Sequence, residues 1–125
     1  SAMMVISFLK YCIVGFSGVV VDFSITYLFK EKVGINKYVG SMLGFSTACT
    51  SNYVINRIWT FTNDNPEIVE QYFSFLIISV IGLSLNTLFL YLFQRIRINY
   101  YLSKGFAIII VTIWNYMANS MITFW

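Results

Sequence analysis

The stretch Asn52-Tyr53-Val54-Ile55-Asn56-Arg57-Ile58-Trp59-Thr60-Phe61 decides how the chain is read, because its pattern returns as Asn115-Tyr116-Met117-Ala118-Asn119-Ser120-Met121-Ile122-Thr123-Phe124. Asn-Tyr, the second Asn and Thr-Phe recur at a constant offset of 63 residues (115 against 52). Upstream, Gly18 matches Gly82, Asp22 matches Asn86, and Tyr27-Leu28-Phe29 matches Tyr91-Leu92-Phe93, all at an offset of 64 (82 against 18). Both copies are embedded in apolar sequence. Asparagine is scarce in such surroundings because an amide needs partners that hydrocarbon cannot supply, so three polar positions aligned in order identify a repeat.

The 125 residues are 58% hydrophobic and only 10% charged, which excludes a soluble domain of this size. A membrane-spanning helix needs roughly 20 mostly apolar residues. Four such stretches are expected, near 11–29, 38–61, 72–93 and 101–124. The expected fold class is an all-α integral membrane protein, with four transmembrane helices arranged as two parallel-repeated helical hairpins. It forms one domain over 4–125, with repeats near 8–61 and 72–124, and Ser1 to Met3 read as a cloning scar before a native start at Met4. The first apolar stretch is too long for a signal-peptide core and is read as a retained helix. Each repeat holds two helices, so both copies enter the membrane from the same side and their pseudo-twofold axis follows the membrane normal.

Cys12 and Cys49 both fall within expected spans and the chain has no histidine, so neither a disulfide framework, a metal site nor a cofactor is expected. No nucleic-acid partner is expected either. The hairpin turns carry Lys30, Lys32, Lys37, Arg95, Arg97 and Lys104, against Lys10 and Arg57 at the other ends. By the positive-inside rule the turns lie in the cytoplasm and the termini outside. Asn63 to Gln71 forms a short acidic loop, with Pro66 opening the next helix.

Polar residues are patterned within the spans. Gly40, Gly44, Ala48, Asn52 and Asn56 recur every four residues, forming one slowly drifting stripe down the second helix. On a packing reading, small residues of this kind let backbones approach and the asparagines bond across the interface; the asparagines are equally open to a ligand. Asn115 and Asn119 repeat the amide pair in the fourth helix. Lys104 lies on nearly the same face as Asn115, about 16 Å away by helix rise. It serves either as a snorkelling anchor or as a point-charge phosphate contact. Gly15, Gly18 and Asp22 share the spacing of Ser79, Gly82 and Asn86. Asp22, an acid in mid-span, must find a donor or take up a proton; it is structural glue, a cation ligand or a proton carrier. Arg57, beside the amide stripe, is placed to hold a phosphate with its planar fork of donors, while Trp59 and Phe61 suit the membrane interface.

Amides donate and accept, as sugar hydroxyls require, and Lys104, Arg57 and Arg95 can neutralise a phosphate at a membrane face. The ligand that fits is an anionic polar lipid head. Phosphate contacts are assigned to those three cations, and a polar groove to Asn52, Asn56, Asn86, Asn115, Asn119 and Asp22. No nucleophile, base and orienting group lie together, so no catalytic residues are expected and the chain is not read as an enzyme. Nor is there a phosphate-binding glycine loop, which leaves passive or proton-linked movement. Two alternatives stand beside a flippase or scramblase: a small proton-coupled multidrug-type exporter using Asp22, and a non-transporting subunit of a membrane glycosyltransferase. A homodimer is plausible on the small-residue surface that four helices leave.

The run Asn52 to Phe61 resembles the second-helix signature of the GtrA-like family, in which an asparagine and an aromatic precede Asn-Arg, an aromatic and a terminal phenylalanine. Phe8-Leu9-Lys10-Tyr11-Cys12-Ile13-Val14-Gly15 with Asp22-Phe23 is similar to that family's first helix, and Lys104, Asn115-Tyr116 and Phe124 to its ending. The resemblance implies a small multi-pass protein of the bacterial cytoplasmic membrane, serving cell-surface polysaccharide or teichoic acid glycosylation. It implies movement of a polyprenyl-phosphate-linked sugar to the outer leaflet, where a glycosyltransferase partner uses it. Positions matching the family pattern are Asn52, Asn56, Arg57, Lys104 and Asn115, then Arg95 and Asp22. The sequence departs in its acidic central loop, and the cytoplasmic termini that the resemblance implies oppose the charge count above.

Overall fold

The hydroxyl of Ser1 accepts the Met4 amide at 3.2 Å and so caps the first helix. The computed structural model describes residues Ser1–Trp125, an all-helical chain. Helix α1 spans Ala2–Tyr27 and runs on through a wider π-helical turn, Leu28–Val33. Helix α2 spans Lys37–Ile55 and ends in a second such turn, Asn56–Thr60. Helix α3 spans Ile68–Arg95, and α4 spans Tyr100–Ala118 with a third π-turn at Asn119–Thr123. Residues 1–64 and 65–125 form two compact units, the first made of α1 packed on α2 and the second of α3 packed on α4.

The caps obey the spacing of the sequence. Asn36 Oδ1 accepts the Tyr38 amide at 2.8 Å at the start of α2, and Asn99 Oδ1 accepts the Leu102 amide at 2.9 Å at the start of α4. Pro66 precedes α3 by two residues, and its carbonyl accepts the Ile68 amide at 2.9 Å. The slip in offset from 64 to 63 also has a physical counterpart. It falls between Phe29 and Asn52, and there the first unit carries the π-turn Leu28–Val33, while α3 ends at Arg95 without one. A π-turn accommodates one added residue within a helix.

The helices within each unit meet along small residues. Gly40, Gly44 and Ala48 are buried on α2; Ser103, Ala107 and Val111, each 63 residues later, are buried on α4. A β-carbon on Gly44 would lie 2.6 Å from the Asp22 carbonyl oxygen and against the Thr26 hydroxyl. A β-carbon on Gly18 would lie 2.5 Å from Asn52 Oδ1, and one on Gly82 would strike Asn115 Oδ1. Such contact is how helices associate where the solvent is itself hydrocarbon.

Each unit buries polar side chains while leaving large apolar ones exposed. Of the largest side chains that are fully buried, Val14, Asn56, Asn119 and Ser103, three are polar, whereas Phe16 and Phe23 on α1 are over 70% exposed. Three helices are long and apolar enough to cross a membrane: Ala2–Val33, Ile68–Arg95 and Tyr100–Thr123. The protein is thus a multi-pass membrane protein. Four spans are expected from sequence; α2 has the length, but Ser46, Thr47, Thr50, Ser51 and Asn52 dilute its apolar character below that of the others. The expected boundaries also move outward. Helix α1 begins at Ala2 rather than near Tyr11, since Ser7 and Lys10 interrupt the apolar pattern without breaking the helix.

The turn within each unit needs one left-handed residue. Gly34 supplies it in the first, with φ of 83°, and Arg97 in the second, with φ of 69°. Glycine takes this conformation freely, whereas a residue with a β-carbon is strained there by about 1–2 kcal/mol. Arg97→Gly is therefore expected to stabilise the detergent-solubilised protein by up to about 1 kcal/mol against thermal unfolding, the greater entropy of the unfolded glycine offsetting part of the relief. A lower midpoint would mean that the Arg97 side chain contributes more than its backbone costs. Gly44→Ala should destabilise by about 1–3 kcal/mol through overpacking against a backbone carbonyl. Gly15→Ala, which meets nothing within 4 Å, should not.

Candidate functional site

The polar residues gather into one seam in each unit. In the first, Asp22 accepts the Thr26 hydroxyl at 3.1 Å, one turn on, and its carboxylate faces Gly44. The Asn52 amide lies flat on Gly18, with Oδ1 buried and without a hydrogen-bond partner. Asn56, only 2% exposed, accepts the Thr60 hydroxyl at 2.7 Å on its side chain and the Phe61 amide at 2.9 Å on its carbonyl. The asparagine thus closes the π-turn twice. Arg57, half-buried, follows directly, and its carbonyl accepts the Asn63 amide at 2.8 Å.

The second seam repeats this chemistry on α3 and α4. Asn115 lies against Gly82 with Oδ1 buried and unpartnered, and Asn86 Oδ1 is likewise buried without a partner. Asn119, wholly buried, accepts the Thr123 hydroxyl at 2.8 Å and the Phe124 amide at 2.8 Å. Its turn is braced further: Gln71 Nε2 donates to the Thr123 carbonyl at 3.1 Å, and the Ser74 and Thr123 hydroxyls lie 2.8 Å apart. Edge-to-face rings close both ends, Tyr11 on Phe61 at 6.3 Å and Phe75 on Phe124 at 6.1 Å.

The cations expected to meet phosphate lie at the helix ends. Lys104 is exposed in the first turns of α4, its ammonium 5.9 Å above the Tyr100 ring, and Arg95 is exposed at the end of α3, donating to the Tyr91 hydroxyl at 3.0 Å. Both therefore sit by the α3–α4 turn, at the far end of α4 from Asn115 and Asn119. Among the residues named from sequence, Asn52, Asn56 and Asp22 share one seam, and Asn86, Asn115 and Asn119 the other.

Other members of these seams were given no site role from sequence. Thr60 and Thr123 complete the π-turns, and the signal was present in the Asn-to-Thr spacing of four in both copies. Gln71 stood outside the expected spans. Trp114 Nε1, another buried atom without a partner, gave no signal beyond an aromatic in an apolar run. Lys10 counted toward topology and the first-helix resemblance but had no site role, yet its ammonium stands 5.1 Å above the Trp59 ring. No group of histidine, cysteine and acidic side chains is arranged to hold a metal ion.

The seams hold two kinds of amide. Asn56 and Asn119 are satisfied within their turns. Asn52, Asn86 and Asn115 bury an oxygen that accepts nothing, which costs about 1–3 kcal/mol for each atom. Such oxygens are acceptors for a hydroxyl or amide donor.

Residues 10–124 match the pattern of the GtrA/DPMS transmembrane domain. The chain is also similar to the uncharacterized membrane protein YngA of Bacillus subtilis strain 168, with 25% identity over 115 residues, covering 92% of this chain and 77% of the relative.

The two kinds of amide should respond oppositely to substitution. Asn56→Ala and Asn119→Ala are expected to destabilise by about 1–3 kcal/mol, leaving a buried threonine hydroxyl and a strained turn behind. Asn52→Ala and Asn115→Ala should leave the thermal midpoint in detergent unchanged or raise it, since an unpaired buried group is removed. Equal losses at all four positions would show that Asn52 and Asn115 are structural.

Proposed function

The chain belongs to the GtrA/DPMS transmembrane-domain family over residues 10–124, and from that premise we propose that it moves the head group of a polyprenyl-phosphate-linked sugar across the bilayer. Membership implies a part in glycosylation that uses lipid-linked sugars; transbilayer movement and the polyprenyl carrier are the finer reading. The observation that carries it is the set of buried amide oxygens without partners, Asn52, Asn86 and Asn115. A sugar hydroxyl crossing hydrocarbon loses its water, at several kcal/mol for each group left unsatisfied. Acceptors already desolvated along the path offset that loss without first having to shed partners of their own.

In this reading the two helix pairs are parallel copies of one hairpin and α2 is a fourth span, its polar stripe turned away from lipid. Within one unit the cations lie at the ends and the amides between, which suits a ligand with an anionic phosphate and a neutral sugar. Arg57 holds phosphate beside Asn56, and Arg95 with Lys104 does so by the other turn. The protein acts in a bacterial cytoplasmic membrane, is not an enzyme, and hands its lipid to a membrane glycosyltransferase that uses the sugar. A second copy enlarging the groove belongs to the same proposal.

The test is flipping of a polyprenyl-phosphate sugar in proteoliposomes, read by access of a membrane-impermeant reagent to the head group. Wild type should equilibrate the lipid between leaflets, and Asn52→Leu with Asn115→Leu should slow it at least about tenfold, the equivalent of one to two lost hydrogen bonds. Wild type that matches protein-free liposomes would sink the proposal. Movement that instead follows a proton gradient and disappears in Asp22→Asn would replace it with proton-coupled export.

A further inference from the structure

The two units differ at one place where the repeat would make them alike. In the second, Gln71 and Ser74 on α3 bond to Thr123 and fill the space between the start of α3 and the end of α4. The positions 64 residues earlier on α1 are Ser7 and Lys10, and neither bonds to Thr60, the counterpart of Thr123. The space they leave is a cavity of about 510 Å³, lined by Ser7, Lys10, Trp59, Thr60, Phe61 and Thr62 together with methionines of the first turn of α1. Ligand pockets begin at roughly 300 Å³.

The charge in this cavity has no counter-ion. Lys10 is half-buried, its ammonium 5.1 Å above the Trp59 ring, while the ion pair of this unit joins Lys30 to Glu31 beside the α1–α2 turn. A ring face steadies an ammonium but does not neutralise it. The rim is strained as well: Thr62, a β-branched residue, adopts φ of 42°, a conformation that such residues rarely take outside sites where the surroundings impose it. Lysine, tryptophan and small hydroxyls at the end of an apolar helix pair lie at the depth of lipid head groups.

We propose that the cavity binds the phosphate of an anionic lipid. The Lys10 ammonium meets the phosphate oxygens, the Ser7 and Thr62 hydroxyls donate to the oxygens that remain, and Met4, Ile6 and Trp59 receive the first carbons of the lipid chain. Two of these roles, charge and hydroxyl donation, would serve free phosphate equally; the apolar wall is what selects a lipid. The proposal rests on the lipid-carrier reading above for the source of the phosphate, and its test measures binding without transport.

The full-length protein in nanodiscs of neutral phosphatidylcholine is titrated with a polyprenyl monophosphate and, separately, with inorganic phosphate, with bound ligand counted by native mass spectrometry. The lipid should bind saturably to wild type and to Lys10→Arg, with Lys10→Gln weakened at least tenfold and Trp59→Leu weakened less. Ser84→Ala, on an exposed face of α3, should bind as wild type does. Equal binding by Lys10→Gln and wild type overturns the site, and inorganic phosphate binding as tightly as the lipid overturns its assignment to a lipid. Selective loss in Lys10→Gln from a protein that flips nothing would keep this site while removing the transport reading.

Discussion

Each unit depends on a bare glycine against which the second helix lies directly. In hydrocarbon, apolar side chains gain nothing by turning inward, so two helices stay together only through close packing and through polar groups that lipid will not accept. Gly18 beneath Asn52 and Gly82 beneath Asn115 supply the close packing, while Asn56 and Asn119, bonded within their turns, are the polar groups that lipid will not accept. The absent β-carbon brings the backbones together, and the amide is then enclosed by the helix it touches. Val14 and Ile78, one turn earlier on α1 and α3, are buried by the same approach, and the large apolar residues on the other faces are left outward. Lengthening either glycine would separate the helices and present the amide to lipid.

The π-turns follow from the same requirement that no backbone group be left unpaired in a membrane. Widening a turn displaces the ordinary bond of a carbonyl, and here the asparagine that begins the turn compensates by accepting on both its backbone and its side chain. A polar side chain is then fixed in the bundle by the fold itself, while the next residue along is thrown to a new angle. That is how Arg57 comes to stand half-buried beside Asn56. In the second unit Ser120 occupies the corresponding position and the turn is braced by Gln71, so that end is closed. Two nearly identical turns thus differ in what surrounds them, and the difference leaves the cavity at Lys10.

Much of this was legible in the sequence because polar residues in apolar surroundings carry most of the information. The spacing of Asn52, Asn56, Asn115 and Asn119, and of Gly18 and Gly82, gave the helix faces, because only one face of a lipid-embedded helix can bear them. Helix ends were less legible: Ser7, Lys10 and Gln71 look like loop residues by polarity, and nothing local distinguishes a polar residue in a projecting helix end from one in a loop. The π-turn Leu28–Val33 was legible only as the slip from 64 to 63, which announces an added residue but not its conformation, and the other two only as the Asn-to-Thr spacing of four. The division of the asparagines into satisfied and unsatisfied could not be read at all. It depends on a threonine four residues on for Asn56 and on a bare glycine across the seam for Asn52, a difference made only when two helices meet.

The placement of charge bears on how a seam of this kind can pass a polar head group. A path across a membrane must bind strongly enough to admit its ligand and weakly enough to release it. A lysine or arginine at mid-span would attract phosphate into the hydrocarbon region and hold it there, since an ion pair in low dielectric separates only at great cost. In the first unit the cations are kept to the ends, with Lys10 and Arg57 at one and Lys30, Lys32 and Lys37 around the turn at the other. Between them stand neutral amides and Asp22, whose oxygen already accepts from Thr26 and whose opposite neighbour is a glycine. Neutral acceptors replace water at sugar hydroxyls one bond at a time, and each such bond is weak enough to be exchanged for the next. In the proposed function, therefore, the cations select the lipid at the faces and the amides lower the barrier between them. Neither group can take over the other's role without either losing the ligand or trapping it.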